Sequence, residues 1–417
     1  MHHGSPRDWG GAAGLLRRSL KLYARGDGYR ARRLLIESLA QLKVPLPGIP
    51  PLADVLDRLA DRPPPIAPLP EPASVVVPIH NGAAHLRRLL ATLLPHTDRR
   101  HHIVLANDGS SDPEVAALLA QAAARHDNVT VIASPTNRGF IATVNAAIAT
   151  TRGHVAILNS DTVVPASWLE RLLQPIHAQP RIASSSPFSN AAAIFSFPVP
   201  NVDHGLPAGL TPDAIDAAFA RLVPMTDEVR TAPATMGFCM GINRAAWDSC
   251  GGFDEATFGR GYCEETDWCL RAAAAGWRSV LVPNLFVYHV HGGTFASAER
   301  KRLLELNYRA LHRRWPGYYQ QLVVFRRRDP WATHRTAALL ALAGTNGART
   351  VGNGASSGNV PAGSAEAATR EVTVGRVTAG TCLVTMRCGD WVGQSIGLER
   401  DLPRLDAELA RQRDHLA

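Results

Sequence analysis

Four landmarks along the chain have the residue types and the order to do chemistry. They are Asp108 in VLANDGSSD, Asp161 in VAILNSDT, the acidic cluster Glu264, Glu265 and Asp267, and His289 in VYHVHGGTF. Asp108 and Asp161 each end a short apolar run, and a helical pattern follows each. In an open α/β sheet the carboxyl ends of the strands line the crevice where ligands bind. A buried acid without a partner is costly, so carboxylates in that crevice must hold a cation, a donor or a proton. The set points to a metal and a phosphorylated ligand.

Each landmark also has a plainer reading. Asp108 is followed by Gly109, Ser110, Ser111 and Asp112, and Ser or Asp beside a helix start makes an ordinary N-cap. The preceding strand, however, also ends in a polar loop, Pro78-Ile79-His80-Asn81. Two such loops at one sheet edge would seat a nucleoside, with Asp108 accepting from a base N–H. Asn137, Arg138 and Gly139 begin the next helix and would close that pocket; Asn145 further along either faces it or lies on the helix surface. Asp161 is a ligand for Mg²⁺ or Mn²⁺, with substrate phosphates completing the shell, or a turn residue before PASWLERLL. Glu264, Glu265 and Asp267 occupy a first helical turn, where acids complement the helix dipole. The same field favours ionisation, so one of them could serve as a general base, beside a loop of Gly259, Gly261 and Tyr262 that would admit an acceptor. His289, followed at a short distance by two glycines, is a candidate second metal ligand, and His291 a weaker one.

The elements that must position these residues alternate strand and helix from residue 74. SVVVP leads into AAHLRRLLATLL, HIVLAND into PEVAALLAQAAARH, NVTVIAS into GFIATVNAAIATT, and HVAILNSDT into ASWLERLLQPIH. Apolar runs buried on both faces, with helices between them, predict an α/β fold with a mainly parallel mixed sheet flanked by helices. ATMGFCMGINRAAW and GWRSVLVPNLFVYH read as further strands, with the helix EETDWCLRAAAAG between them. Ahead of this domain (74–325) stand a helical extension (1–60) and a proline-rich linker (61–73). The extension holds two helices around RGDG, the second with Leu34, Leu35, Leu39 and Leu42 at helical spacing. The last stretch, 326–417, reads as a poorly ordered tail rich in Gly, Ala and Ser, with a hairpin at EVTVGRVTAGTCLVTMRC and a closing helix.

Bulk properties exclude some classes. With 417 residues, 46% hydrophobic and 19% charged, the chain has the composition of a globular protein, not a disordered one. Its net charge of +8 comes with no aromatic-basic interleaving or recognition module, so nucleic acid is not an expected partner. The arginine clusters near residues 17–33 and 313–328 are solvated helix faces, or they attract anionic headgroups or a diphosphate-linked acceptor. Six cysteines without CxxC spacing suit reduced thiols, and no apolar stretch approaches the ~20 residues of a membrane span. A cytoplasmic protein, peripheral at the inner face of the membrane if it touches one, is the expectation.

From 74 to about 320 the chain resembles family 2 glycosyltransferases of the GT-A fold, a Rossmann-like architecture, and within them the rhamnosyl- and galactofuranosyl-transferase-like branch. The matching pieces are VVVPIHN, ANDGSSD, NRGFIATVN, ILNSDT, GFCMGINR, GGFDE, GYCEETDWCLRA and VYHVHGG. The resemblance implies an inverting, metal-dependent transfer from a nucleotide diphosphate sugar to a hydroxyl acceptor, in polysaccharide or glycolipid assembly. It implies that Asp108 contacts the nucleobase and that Asp161 and His289 hold the metal. Glu265 becomes the base, and Gly237 and Phe238 lie near acceptor or sugar. Asn159 stands where the family's Asp-x-Asp element has its first acid, and Glu265 where an Asp is usual. Asn159 is counted with the nucleotide contacts, and Glu264 and Asp267 with those to acceptor or sugar; a non-catalytic sugar-nucleotide-binding module is the rival reading, and Glu264 or Asp267 the rival base.

Overall fold

Valines and isoleucines buried from both sides build the centre of the molecule. In this computed structural model, residues 9–44, 48–223, 230–290, 297–344, 349–352, 369–378 and 380–414 are described. The strands are β1 (Ser74–Ile79), β2 (His102–Asp108), β3 (Val129–Ser134), β4 (Val155–Leu158), β5 (Thr162–Val163), β6 (Ile182–Phe188), β7 (Thr231–Ala232), β8 (Cys239–Ile242), β9 (Arg278–Phe286) and β10 (Tyr288–His289). Eight of them form one sheet in the order β3-β2-β1-β4-β8-β6-β9-β7. Strands β3, β2, β1 and β4 run parallel, as do β6 and β9, while β8 is antiparallel between β4 and β6 and β7 is antiparallel at the far edge. The mixed, mainly parallel sheet with flanking helices is the architecture expected of the chain. Strands β5 and β10 make a separate two-stranded ribbon, pairing His289 with Thr162.

Helices Ala83–Leu93, Pro113–Arg125, Phe140–Ala149 and Trp168–Ala178 return the chain between these strands. One of them starts as its sequence requires: Asp112 accepts from the Glu114 amide, and Pro113 fills the first turn, where no donor is needed. Strand β6 is the element that periodicity hides. Ser184, Ser185 and Ser186 are fully buried in it, which is tolerable because each hydroxyl finds a partner: Ser279 Oγ, the Leu172 carbonyl and the Cys239 carbonyl.

The extension forms α1 (Trp9–Ala24) and α2 (Gly28–Lys43), an antiparallel pair, before a short helix Leu52–Leu56. Small residues make the contact between α1 and α2, and it is reciprocal. Ser19 Oγ donates to the Ala31 carbonyl, and Ser38 Oγ donates to the Ala12 carbonyl. The other side of α2 packs Ala40 and Ile36 on Tyr319 and Val323 of helix Tyr318–Arg328. The leucine spacing that suggests a packing stripe is misleading: Leu35 and Leu39 face outwards, because alanine and serine occupy the contact.

The C-terminal stretch departs further from expectation. Residues 345–348 and 353–368, within the Gly/Ala/Ser-rich segment, lie outside the described residues, but the chain on either side is folded. Helix Ala332–Ala343 is buried along most of its length. The expected hairpin is β12 (Arg370–Thr378) and β13 (Thr381–Cys388), and it gains β14 (Trp391–Leu398) on one side and β11 (Arg349–Gly352), parallel, on the other. Val372, Val384, Met386 and Trp391 from this sheet belong to the same hydrophobic core as β1 and helix Ala83–Leu93. The Trp391 ring meets Phe197 edge-on at 5.2 Å, and Arg221 pairs with the buried Glu408 of the closing helix Leu402–Asp414 at 2.8 Å. A tail of low-complexity composition is therefore a supporting sheet, because its strands alternate inward apolar residues that the glycines and serines around them mask.

Candidate functional site

The loops after β1 and β2 are tied into one ledge by side chains that grip backbone. Asn81, itself in the left-handed region at φ 58, accepts from the amides of Ser111 and Asp112 through Oδ1, and its own amide donates to Ser110 Oγ. His80 donates through Nδ1 to the Asp108 carbonyl, and Pro78 lies at the end of β1 behind it. Asp108 is 4% exposed. Its two carboxylate oxygens accept from the amides of Arg138 and Gly139 at 2.7 and 2.8 Å, so it holds the next loop against the ledge. That approach needs glycine at 109: a Cβ there would stand 2.5 Å from the Thr136 carbonyl carbon. Beside it the buried Asn137 Oδ1 has no hydrogen-bond partner, an acceptor free for a ligand donor.

Asn145 does not join this ledge. Its amide brackets the peptide of Phe253, accepting from the nitrogen and donating to the carbonyl, and both groups of the side chain are thereby used. It is a clamp for the 251–253 turn rather than a nucleotide contact.

The ribbon of β5 and β10 brings the next two landmarks together. His289 Nε2 lies 3.2 Å from Asp161 Oδ1. Its other nitrogen, Nδ1, faces the Ala191 carbonyl at 3.0 Å; a carbonyl only accepts, so Nδ1 carries the hydrogen. This leaves Nε2 and a carboxylate pointing at one another, with the imidazole oriented from behind as metal-binding histidines usually are. Burial works against the charged imidazole, but Asp161 outweighs it and raises His289 above its ordinary value. Two ligands of this kind fit a divalent cation whose remaining positions are filled by phosphate and water. Among the described residues no cluster of three or more such side chains occurs, and His291 lies outside them. Phe238 stacks on His289 with centroids 5.2 Å apart, and its carbonyl accepts from the Asn159 amide. Asn159 itself stands half-buried beside Asp161, with its backbone held between Phe238 and Thr162.

Glu264 and Glu265 begin helix Glu264–Ala274, and a strained loop delivers them. Tyr262 and Cys263 both sit at φ 74, a conformation unusual for side-chain-bearing residues. The buried Asn307 holds it: its Nδ2 reaches the carbonyls of Phe258, Gly261 and Tyr262 at 2.9, 2.7 and 3.0 Å. Burial raises both glutamates, and the charge of Glu265 raises Glu264 further, so the two carboxyls do not readily ionise together. Each has one oxygen without a partner. Glu265 flanks Gly237: a Cβ there would lie 4.0 Å from Glu265 Cγ and 3.9 Å from the Phe140 ring. Tyr308 is near enough to Cys263 and Glu265 for their charges to add to burial, which together push its hydroxyl to about 12.

Asp267 has a different task. Fully buried, it accepts from Arg271 Nε at 2.9 Å, Arg314 at 3.0 Å and Trp315 Nε1 at 2.9 Å. With both oxygens engaged and no surface exposed, it anchors the end of helix Ser297–Arg314 and does not reach an acceptor as a contact or rival base.

Contacts run unbroken through these groups. Asp108 holds Gly139, whose α-carbon side abuts Arg260, and the Phe140 amide donates to the Arg260 carbonyl. Phe140 and Glu265 flank Gly237, each within 4.0 Å of where a Cβ on it would stand; the next residue, Phe238, stacks on His289, and His289 meets Asp161. Three supports of this arrangement have no signature in the sequence: Asn307, Tyr308 and Asn190. Asn190 accepts from the His289 amide at 2.8 Å and donates to the His289 carbonyl at 3.0 Å, 99 residues away in the chain. An asparagine in an apolar or small-residue stretch, as Asn190 is in PFSNAAA, is the only hint the chain offers.

Residues 74–209 match the family model described as glycosyl transferase family 2. The N-acetylglucosaminyl-diphospho-decaprenol L-rhamnosyltransferase of Mycobacterium tuberculosis is 28% identical over 236 residues, covering 52% of this chain and 75% of that protein. The pre-mycofactocin glycosyltransferase of the same species is 30% identical over 245 residues, 57% of this chain; the chain spans about half of that relative's length, 47%. Among solved structures, a mannosyltransferase from Pyrobaculum calidifontis in complex with GDP-Man and Mn²⁺ is similar at 18% identity and a TM-score of 0.47, over 79% of this chain and 87% of that one. Residues 74–209 are thus a glycosyl transferase family 2 domain by their match, and the curated relatives of the chain are glycosyltransferases.

Proposed function

We propose that this protein is an inverting, metal-dependent glycosyltransferase that moves a sugar from a nucleotide diphosphate sugar to a hydroxyl of a lipid-linked glycan. The observation that carries the reading is the pairing of His289 with Asp161, with Phe238 stacked on His289 and Glu265 flanking the adjacent Gly237. The nucleoside lies on the ledge of residues 80–81, 108 and 137–139, where Asn137 Oδ1 accepts from it. Asp161 and His289 would hold Mg²⁺ or Mn²⁺, which when bound neutralises charge on the departing diphosphate. Glu265 removes the proton of the acceptor hydroxyl as that oxygen bonds to the anomeric carbon. The bond from that carbon to the diphosphate oxygen breaks, and its electrons leave with the nucleotide. With Glu264 protonated, Glu265 carries the negative charge the step requires. The acceptor class is inferred from the rhamnosyltransferase relative, whose name specifies a sugar on a diphospho-polyprenol.

A panel of nucleotide sugars with Mg²⁺ or Mn²⁺ and a polyprenyl diphosphate-linked glycan tests this. Acceptor-dependent release of one nucleoside diphosphate is the expected result. Nucleotide binding across the panel without release would replace the reading with a non-catalytic binding module.

A further inference from the structure

The charge of this protein is not spread over it. Residues 9–44, α1 and α2, hold eight Lys and Arg against Asp27 and Glu37, a net +6 of the +8 carried by all 417 residues. The same hairpin exposes large apolar side chains: Leu16 at 41%, Leu20 at 62%, Tyr23 at 74%, Leu35 at 38% and Leu39 at 43%. These fall on one side of it. The reciprocal bonds Ser19 to Ala31 and Ser38 to Ala12 relate the two helices by a local twofold. Leu16 stands four residues after Ala12 and three before Ser19; Leu35 stands four after Ala31 and three before Ser38. A twofold between antiparallel helices leaves each side of the pair on its own side, so both leucine rows share one face. Arg17 stands three residues before Leu20 and Arg32 three before Leu35, so each borders its leucine row, and both are exposed.

We infer that this face of the α1–α2 hairpin docks the protein on an anionic phospholipid membrane. An apolar strip bordered by arginine and lysine is the pattern of a helix lying at a lipid interface, where the side chains enter the headgroup boundary and the cations meet the surface potential. A second copy of the chain is disfavoured as occupant, since two such faces would bring two +6 clusters together. Among the described residues no helix is long and apolar enough to cross a membrane, so the attachment is to its surface. The inference does not depend on the proposed reaction.

The test is flotation of the full chain with vesicles of phosphatidylcholine alone or with roughly 30% phosphatidylglycerol. Binding to the anionic vesicles alone, released at about 0.5 M salt, is expected. Leu16→Ser/Leu20→Ser/Tyr23→Ser and, separately, Arg17→Glu/Arg32→Glu should each lower the bound fraction about tenfold or more with unchanged circular dichroism and melting, since the residues are exposed. Failure to float with anionic vesicles, or flotation untouched by both variants, overturns the inference. A concentration-dependent dimer in sedimentation that the leucine variant alone dissolves would also overturn it and give the face to a second copy. Nucleotide release in solution stays as in the parent protein if docking and chemistry are separate, so its loss in the parent would count against the proposed reaction and not against docking.

Discussion

The two sides of the site are built differently. On the proposed nucleotide side, the loops after β1, β2 and β3 brace one another: Asn81 and Asp108 each grip the backbone of the next strand-end loop, 30 residues on, and Gly109 permits the close approach. On the metal and acceptor side, each reacting group is held by a residue from a remote element: His289 by Asn190, and the Glu264–Glu265 turn by Asn307. Local bracing is tolerant, because a loop that loses one bond keeps its neighbours. Remote bracing concentrates the geometry of a reacting group in a single side chain. Substitutions on the second side should therefore change chemistry or metal affinity, and those on the first should change nucleotide affinity.

The largest expected effect is at the base. Glu265→Gln should lower turnover about 10²–10⁴-fold while leaving nucleotide binding, measured by calorimetry, close to that of the parent. Near-normal turnover would remove Glu265 from the mechanism. Next comes Asn190→Ala, which frees the His289 peptide. Mn²⁺ affinity of the folded protein, read by electron paramagnetic resonance without substrate, should weaken by about 10–100-fold, beside a stability loss of about 1–3 kcal/mol from the peptide groups left unpaired. Unchanged affinity would mean that Asn190 serves only the fold. Asn307→Ala leaves buried carbonyls unsatisfied at about 1–3 kcal/mol. It should lower both stability and kcat, and a loss of stability with full kcat would break the link between that turn and the base.

A smaller effect with a definite sign concerns Glu264. Its folded value lies above the ordinary carboxylate value, so the folded state binds more protons, and stability falls as pH rises from the unfolded value towards the folded one. Glu264→Gln should therefore melt higher than the parent at neutral pH, with the gap closing in acid. A gap independent of pH would contradict the shift. The smallest effect expected on ligand binding is that of Asn145→Ala, which should destabilise the fold by about 1–3 kcal/mol yet leave nucleotide affinity alone, since that side chain is spent on Phe253.

The same contrast explains what the chain reveals when read as letters. The nucleotide side is legible because Asp108, Asn81 and Gly109 are neighbours in sequence or sit at strand ends, where periodicity breaks. Asp161, Glu265 and His289 are legible as residue types at strand and helix ends, but their supports are not. Nothing near Asn190 or Asn307 signals a partner 99 or 46 residues away. Asp267 and Asn145 mislead for the opposite reason: polar residues beside a site look functional until their hydrogen bonds are counted. Strand β6 escapes because buried serines interrupt its apolar run, and β14 because glycine and serine obscure its alternation, while the β12–β13 hairpin beside it is legible.

The C-terminal sheet has a bearing on how the protein is made. Ser395 and Ile396 of β14 bond to the Pro50 carbonyl, and Trp391 covers Phe197. Translation delivers residue 50 long before residue 395, so the ribosome releases a nascent catalytic domain whose Leu52, Phe197 and Phe219 lack their final cover. Until the last strands emerge, that greasy seam is open to neighbouring chains, and chaperone demand during synthesis should peak there.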